Sequence, residues 1–349
     1  MKITSLFVSA ACFSLPLVYG QPLIDVLVTR GFTEYAANLQ AYPALLARLQ
    51  DRNDITVWAV PNKYVTSPDS ATSSPRLVRR QSEVEVSASI SHDGKPPTSG
   101  ISKRQAGGNA ASNFMTLRTF LEDPTFVNLG PGQPGRYVRS YTDSPPGSDQ
   151  ANIQITTGLG TVITQFSGPF KYDKGLIYGV TNFPTLPRPL PETLQTLGLD
   201  TFHAAITAAG REDKLDNTPG VTIFAPANSS LHGDDTIDVD AHTISDGFFF
   251  LPELFDQSPH RSDAGTTLTM TFSEGSFYVN GVRIIKSDIS IKNGVVHVIE
   301  KPLDYCGEGK DDKKKVEYKA PAAPTPVKEK EHKPEPTKHH YKPRGAVRI

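Results

Sequence analysis

Cysteine is almost missing from this chain of 349 residues, which has Cys12 and Cys306 and no others. A fold stapled by several disulfides is excluded, and stability must come from packing. An excess of one charge is missing as well: 36 Lys and Arg stand against 37 Asp and Glu, a formal net charge of -1. Such a balance implies no global polyelectrolyte partner and no nucleic acid. Beyond residue 20, no run approaches the roughly 18 uninterrupted apolar residues that a membrane span requires. Gly-x-Ser-x-Gly, His-Glu-x-x-His and the P-loop do not occur, so the common signatures of nucleophilic, zinc and phosphate chemistry are absent.

What is present begins with a leader. MKITSLFVSAACFSLPLVYG, residues 1–20, has one Lys, an apolar stretch broken by Pro16, and small residues before Gln21. This is the pattern of a secretory signal peptide cut near Gly20–Gln21, and it predicts a secreted protein. Cys12 leaves with it. Cys306 then has no intramolecular partner, and a leftover thiol in an oxidising compartment points to an intermolecular disulfide or a tolerated thiol.

The body of the chain repeats itself. VTIFAPANSSL (221–231) has a copy in ITVWAVPNKYV (55–65): an apolar strand, a proline turn and an Asn at the same place. Upstream, LIDVLVTRGFTEY (23–35) lies over LPETLQTLGLDTF (190–202), with Gly31 on Gly198. Downstream, GLIYGV (175–180) lies over GVVHVI (294–299). Each unit thus opens with helices and enters a buried strand. The first copy is 47 residues longer between these landmarks, and residues 66–112 have the Ser, Pro, Gly and charge of an insertion. Such a segment buries too little to offset its ordering entropy and is expected to be disordered. Near the end, 266–303 reads as a meander with Asn280-Gly281 and Asn293-Gly294 as hairpin signals. Helices first and strands later make an α+β fold.

VTIFAPANSSL and NGVVHVIEKPL resemble the two signature segments of fasciclin-like domains, in the right order, and 190–220 resembles that family's opening helices. The resemblance implies two tandem fasciclin-like domains. Each would hold N-terminal helices and a mainly antiparallel β-sheet meander, at 21–186 (divergent, with the insertion) and 187–305. It also implies a non-enzymatic protein of fungal type acting in cell-surface, cell-wall or matrix adhesion, with a protein or polysaccharide as partner and no cofactor. In animal members Asp-Ile motifs in this region are implicated in integrin recognition, which makes Asp288 and Ile289 a candidate adhesion motif. ISDGFFFLPEL (244–254) stands where the family's Tyr-His cell-binding motif is expected.

Other residues are weighed on their chemistry. GPGQPG (130–135) matches a dinucleotide fingerprint only literally, since Pro131 and Pro134 remove donors that a phosphate would need, and it reads as a loop. GDDTIDVDAH (233–242) lacks the Gly turn and bidentate Glu of a calcium loop, and reads as helix-capping acids or a solvated loop. His297 sits in an apolar strand and reads as a buried, hydrogen-bonded imidazole. Asn228-Ser-Ser is a glycosylation sequon, the alternative being that the Asn228 amide caps the helix turn that follows it. Arg79-Arg80 and Lys103-Arg104, inside the insertion, are candidate sites of proteolytic processing. The tail from 307 has twelve Lys or Arg against seven Asp or Glu and is rich in Pro, so 306–349 is expected to be a disordered, basic arm. The apolar run FFFLPELF (248–255) carries a second reading, a soluble extracellular binder of a small apolar ligand or lipid.

Overall fold

Helix α1 (Leu23–Thr29) is followed by α2 (Thr33–Gln40), α3 (Pro43–Gln50), strand β1 (Ile55–Ala59) and one turn of helix, α4 (Asn62–Val65). Then come α5 (Gln81–Glu85), β2 (Ala88–Ile90), β3 (Phe114–Thr119), β4 (Arg136–Thr142), β5 (Asn152–Thr156), β6 (Val162–Tyr172) and β7 (Gly175–Val180). The opening recurs as α6 (Leu190–Thr196), α7 (Asp200–Ala208), α8 (Glu212–Asn217) and β8 (Val221–Pro226). It leads through β9 (Thr243–Ile244), α9 (Leu251–Asp256), β10 (His260–Arg261) and β11 (Thr267–Leu268). The chain closes with β12 (Met270–Ser273), β13 (Ser276–Val279), β14 (Val282–Ile291) and β15 (Gly294–Ile299). This computed structural model describes residues 20–65, 81–90, 114–142, 152–230 and 237–303.

The two helical openings end in the same way. Past α1, the Phe32 N–H bonds the Leu27 carbonyl at 2.9 Å and the Gly31 N–H bonds Val28 at 3.1 Å, with Gly31 at φ 86°. Past α6, Leu199 bonds Leu194 at 2.9 Å and Gly198 bonds Gln195 at 3.1 Å, with Gly198 at φ 68°. Both are Schellman caps, which glycine accepts without a Cβ penalty, and the apolar pairs that flank them, Leu27 with Phe32 and Leu194 with Leu199, are buried.

Strands β1 to β7 close into a barrel, each paired with its sequence neighbour and β7 returning to β1. The second sheet runs β12-β13-β14-β15-β8-β9 and stays open, with β10 and β11 in a separate two-stranded sheet. Each large sheet contains one parallel pair. Ile55 stands opposite Gly175 in the first, and Val221 opposite Gly294 in the second, the register that the aligned sequences imply. β8 and β15 are buried along their whole length, hence their continuous apolar reading.

Two expectations need correction. The sheets are mixed rather than plain antiparallel meanders, because each ends by laying its last strand parallel to its first. Within the expected insertion, residues 81–90 are folded. The alternation in VEVSASI buries Val84, Val86 and Ala88, and β2 fills the place between β1 and β3. Asn280-Gly281 forms its hairpin, with φ of 47° and 76°. Asn293 also sits in its expected hairpin, with Lys292 and Asn293 forming the turn between the paired Ile291 and Gly294, and it lies fully buried with its amide donating to the Leu215 and Thr218 carbonyls at 2.6 and 2.8 Å. That amide ties the end of α8 to the sheet.

The described residues lie in one compact unit. Helices α6 to α8 cover one side of the second sheet through Leu194, Phe202, Ile206 and Leu215, and α9 covers another part through Leu254 and Phe255. Val138, Phe250 and Val295 pack together where the barrel meets the second sheet. Burial of three such side chains is worth about 1.5–3 kcal/mol each. The hydrogen bonds across the same boundary, Ser290 Oγ to the Arg136 carbonyl at 2.7 Å and Thr116 Oγ1 to Glu253 at 3.0 Å, add about 1 kcal/mol each. The apolar contact therefore dominates the energy, and the polar ones set the register.

A Cβ on Gly175 would overlap the Ile55 carbonyl, and one on Gly294 would overlap the Val221 carbonyl. Gly175→Ala and Gly294→Ala should each destabilise by about 3 kcal/mol, the upper range for overpacking. Urea denaturation of the purified variants measures it, and a loss under about 1 kcal/mol would show that the parallel pairs do not need this close approach.

Candidate functional site

The most structured polar region surrounds a β-bulge in β14. Lys286 pairs with Val298 and Ile289 with Val296, so Ser287 and Asp288 together face the single residue His297. A bulge of this kind bends the strand and re-aims a side chain. Asp288, at φ 64°, turns inward: Oδ1 accepts the Leu251 N–H at 2.6 Å at the start of α9, and the Ser287 hydroxyl donates to Oδ2 at 2.7 Å. Asp288 is 1% exposed and Ile289 is fully buried. The candidate adhesion motif is thus a helix cap and a core residue, and neither side chain offers itself to a partner docking on this surface.

His297 is also fully buried. Its Nε2–H donates to the Phe249 carbonyl at 3.0 Å, its ring stacks on Phe224 at 5.5 Å, and Nδ1 receives the Asp288 N–H at 3.4 Å. The bulge recurs in the barrel, where Gly168 and Pro169 face Tyr178 and that ring stacks on Trp58 at 5.2 Å. An aromatic pair across the parallel strands is therefore common to both sheets, and the hydrogen bond from a main-chain amide to an imidazole belongs only to the second. Burial raises the Asp288 pKa to about 6, against the Leu251 and Ser287 hydrogen bonds, and lowers His297 to about 4.

Asn228 has a structural task with an equivalent in the first half. Its Oδ1 accepts the Thr201 N–H at 3.2 Å in the first turn of α7. Asn62 accepts the Glu34 N–H of α2 at 3.0 Å in the same way. The cap falls across space on a helix that precedes each Asn in sequence, not on the turn that follows Asn228 as expected, and each turn thereby locks its strand to its second helix. The two differ at the other amide atom. Asn62 Nδ2 donates to Thr33 at 2.8 Å, whereas Asn228 Nδ2 has no hydrogen bond among the described residues.

Asp238 Oδ1 accepts the Asp240 N–H at 3.0 Å and so caps a turn of 3-10 helix, Asp240–His242. Sequence reasoning had no signal for the use of His242, which is buried and bridges the Asp238 carbonyl at 2.8 Å and the Leu303 N–H at 2.9 Å. His260 likewise holds the Leu254 carbonyl at 3.0 Å. No group of His, Cys, Asp or Glu among the described residues could hold a metal ion, and no described helix is long and apolar enough to cross a membrane. Arg79, Arg80, Lys103, Arg104 and Cys306 lie outside the described residues.

Of the run at 248–255, Phe250, Leu251, Leu254 and Phe255 are buried in the core. Phe248 instead borders a cavity of about 440 Å³ that Arg136 and the GPGQPG loop also line, and that segment is a loop as expected.

Residues 197–305 match the family model described as Fasciclin domain. A fasciclin-like arabinogalactan protein of Arthroderma benhamiae is 25% identical over 197 residues, 53% of this chain and 44% of that protein. Another, from Cercospora beticola, is 24% identical over 200 residues, 54% of this chain and 52% of that protein. The chain thus matches about half the length of these curated relatives. Among solved structures, the FAS1 domain pair from the insect cell adhesion molecule fasciclin I aligns with a TM-score of 0.36 at 15% identity, over 80% of this chain and 98% of that one.

The two buried groups should oppose each other in acid. Asp288, raised to about 6, contributes stability that is present below the unfolded carboxylate value and lost as pH rises through 6. His297, lowered to about 4, contributes stability that is present above the unfolded imidazole value and lost as pH falls toward 4. Between pH 6.5 and 4 (roughly, from the reference and shifted values) acidification therefore gains from one and loses from the other. Asp288→Asn should lose stability more steeply than the parent chain across this window, and His297→Gln should lose less or gain. Urea midpoints at several pH values measure both; parallel profiles in all three proteins would refute the opposition.

Proposed function

From the fasciclin domain at residues 197–305 as premise, we propose that this chain is a non-enzymatic, secreted protein of two tandem fasciclin-like domains. It works in adhesion at a cell surface, cell wall or extracellular matrix. What carries the reading is that buried titratable groups of this half are spent on holding main chain: Asp288 on Leu251, His297 on Phe249, His260 on Leu254 and His242 on Leu303. A site assembled this way is scaffolding, with its chemistry turned inward.

The first domain, 21–186, is the divergent copy. Support comes from the shared strand register, the paired Schellman caps, the bulge at the same position and the Asn62–Glu34 cap matching Asn228–Thr201. The partner is a wall or surface component, protein or polysaccharide, and the basic arm 306–349 adds a salt-sensitive contribution. Cys306 serves a disulfide to another chain, and Arg79-Arg80 and Lys103-Arg104 are cut during secretion. Asn228 carries a glycan on Nδ2, which leaves Oδ1 free to keep its cap on α7. A second reading, a binder of a small apolar ligand, draws on Phe248 at the cavity, and native mass spectrometry with a co-purifying apolar ligand would favour it.

Retention on isolated cell walls tests the role. The secreted protein should bind at low ionic strength and be partly released near ~1 M salt, where screening acts within about 3 Å. Deletion of 307–349 should weaken retention at low salt; equal retention removes the arm from the mechanism, and no retention of the full chain at any salt counts against the adhesion role. For the glycan, enzymatic N-deglycosylation should lower the intact mass of the parent chain and leave Asn228→Gln unchanged.

A further inference from the structure

GPGQPG and the first residue of FFFLPELF have no part in the proposed scaffold, yet they meet across the one cavity of about 440 Å³ described above. Its volume falls in the range of small-ligand sites, about 300–1,000 Å³, and is too small for a folded partner. One wall is built around Arg136. Its Nη2 donates to Gln133 Oε1 at 2.8 Å, and its guanidinium carbon lies 4.9 Å from the centre of the Phe248 ring. Phe248 is in turn edge-on to the buried Phe250 at 6.3 Å, so the core holds the ring and the ring holds the guanidinium. Ser245 to Gly247 also line the cavity. The Ser245 N–H donates to Asp263 at 2.9 Å and pins the turn. Asp246 is left exposed at the rim, with no hydrogen bond among the described residues.

These groups select a ligand class by their combination. One guanidinium and one carboxylate line the same cavity, so it favours no ion of either sign. A purely apolar ligand would strip water from both charges and give nothing back. Guanidinium, carboxylate and carboxamide each present donors or acceptors in a planar pair, which suits neighbouring hydroxyls on a ring. Pro131, Pro219 and Leu129 supply apolar surface for the C–H faces between those hydroxyls.

We propose that this cavity, between Arg136 with Gln133 and Asp246, is a binding site for a neutral saccharide unit. The inference rests on the reading of the chain as a binder of wall or surface components, and it names polysaccharide as the class.

The test uses the full secreted chain with laminarihexaose, chitohexaose and maltohexaose as neutral probes, trigalacturonate as an acidic one and dodecanoate as an apolar one. Titration calorimetry and saturation-transfer NMR should show binding of at least one neutral hexasaccharide. Asp246→Ala and Gln133→Ala should each weaken it at least tenfold with unchanged thermal midpoints. No neutral binding, neutral binding that both variants keep, or binding confined to trigalacturonate or dodecanoate would overturn the proposal. If the parent chain fails these tests yet stays on cell walls, the site is wrong and the adhesion role stands; if it stays on no wall, the role itself fails.

Discussion

The parallel pairing of first and last strand is the constraint on which the rest of each sheet depends. It brings residues that are far apart in sequence into contact, Val221 with Gly294 and Ile55 with Gly175. A side chain at either glycine would collide with the facing carbonyl, so the strands meet only because that position has none. Once they meet, β8 and β15 have neighbours on both sides and covering layers on both faces, and they must be apolar throughout.

Buried polar groups finish what packing begins. The bulge in β14 adds one residue, and the addition turns Asp288 toward the start of α9 while His297 holds the chain two residues earlier at Phe249. In the barrel the equivalent bulge holds Gly168 and Pro169, which cannot reach a helix, and the short helix docked by Asp288 is a feature of the second sheet. Leaving such groups unpaired would cost about 1–3 kcal/mol each, which is why each has a main-chain partner at hand. The same device explains Asn293 and His242, whose side chains tie α8 and the end of β15's extension to the sheet.

Much of this was legible in the residues. The repeat aligned Ile55 with Val221 and Gly175 with Gly294, and the strand register agrees residue by residue. The buried imidazole at 297 and the type of the GPGQPG segment could be read from context, because an apolar strand and two prolines leave few alternatives. Residues 81–90 were not legible as structure. Their short alternation is weak by itself and gains meaning only beside Ile55 and Thr119, which they pair with. Asn293-Gly294 was legible as a hairpin, and Ile291 does pair with Gly294 across it; the further tasks of the glycine in the parallel contact and of the asparagine at α8 depend on residues far away in sequence.

By itself the sequence determined the local grammar of this protein: where helices stop, which strands are buried, and that two stretches share one pattern of residues. Those properties depend on neighbours a few residues apart, on glycine at a left-handed position and on the spacing of apolar side chains. Only the tertiary structure decided what Asp288, Asn228 and Phe248 do. An Asp-Ile pair, a sequon and a run of phenylalanines each fit a surface role or an interior one, and the choice depends on which distant backbone group comes within about 3 Å. Asp288 found the Leu251 N–H and went inside. Asn228 found Thr201 with one amide atom and kept the other free, and Phe248, alone in its run, was left at the edge of a cavity.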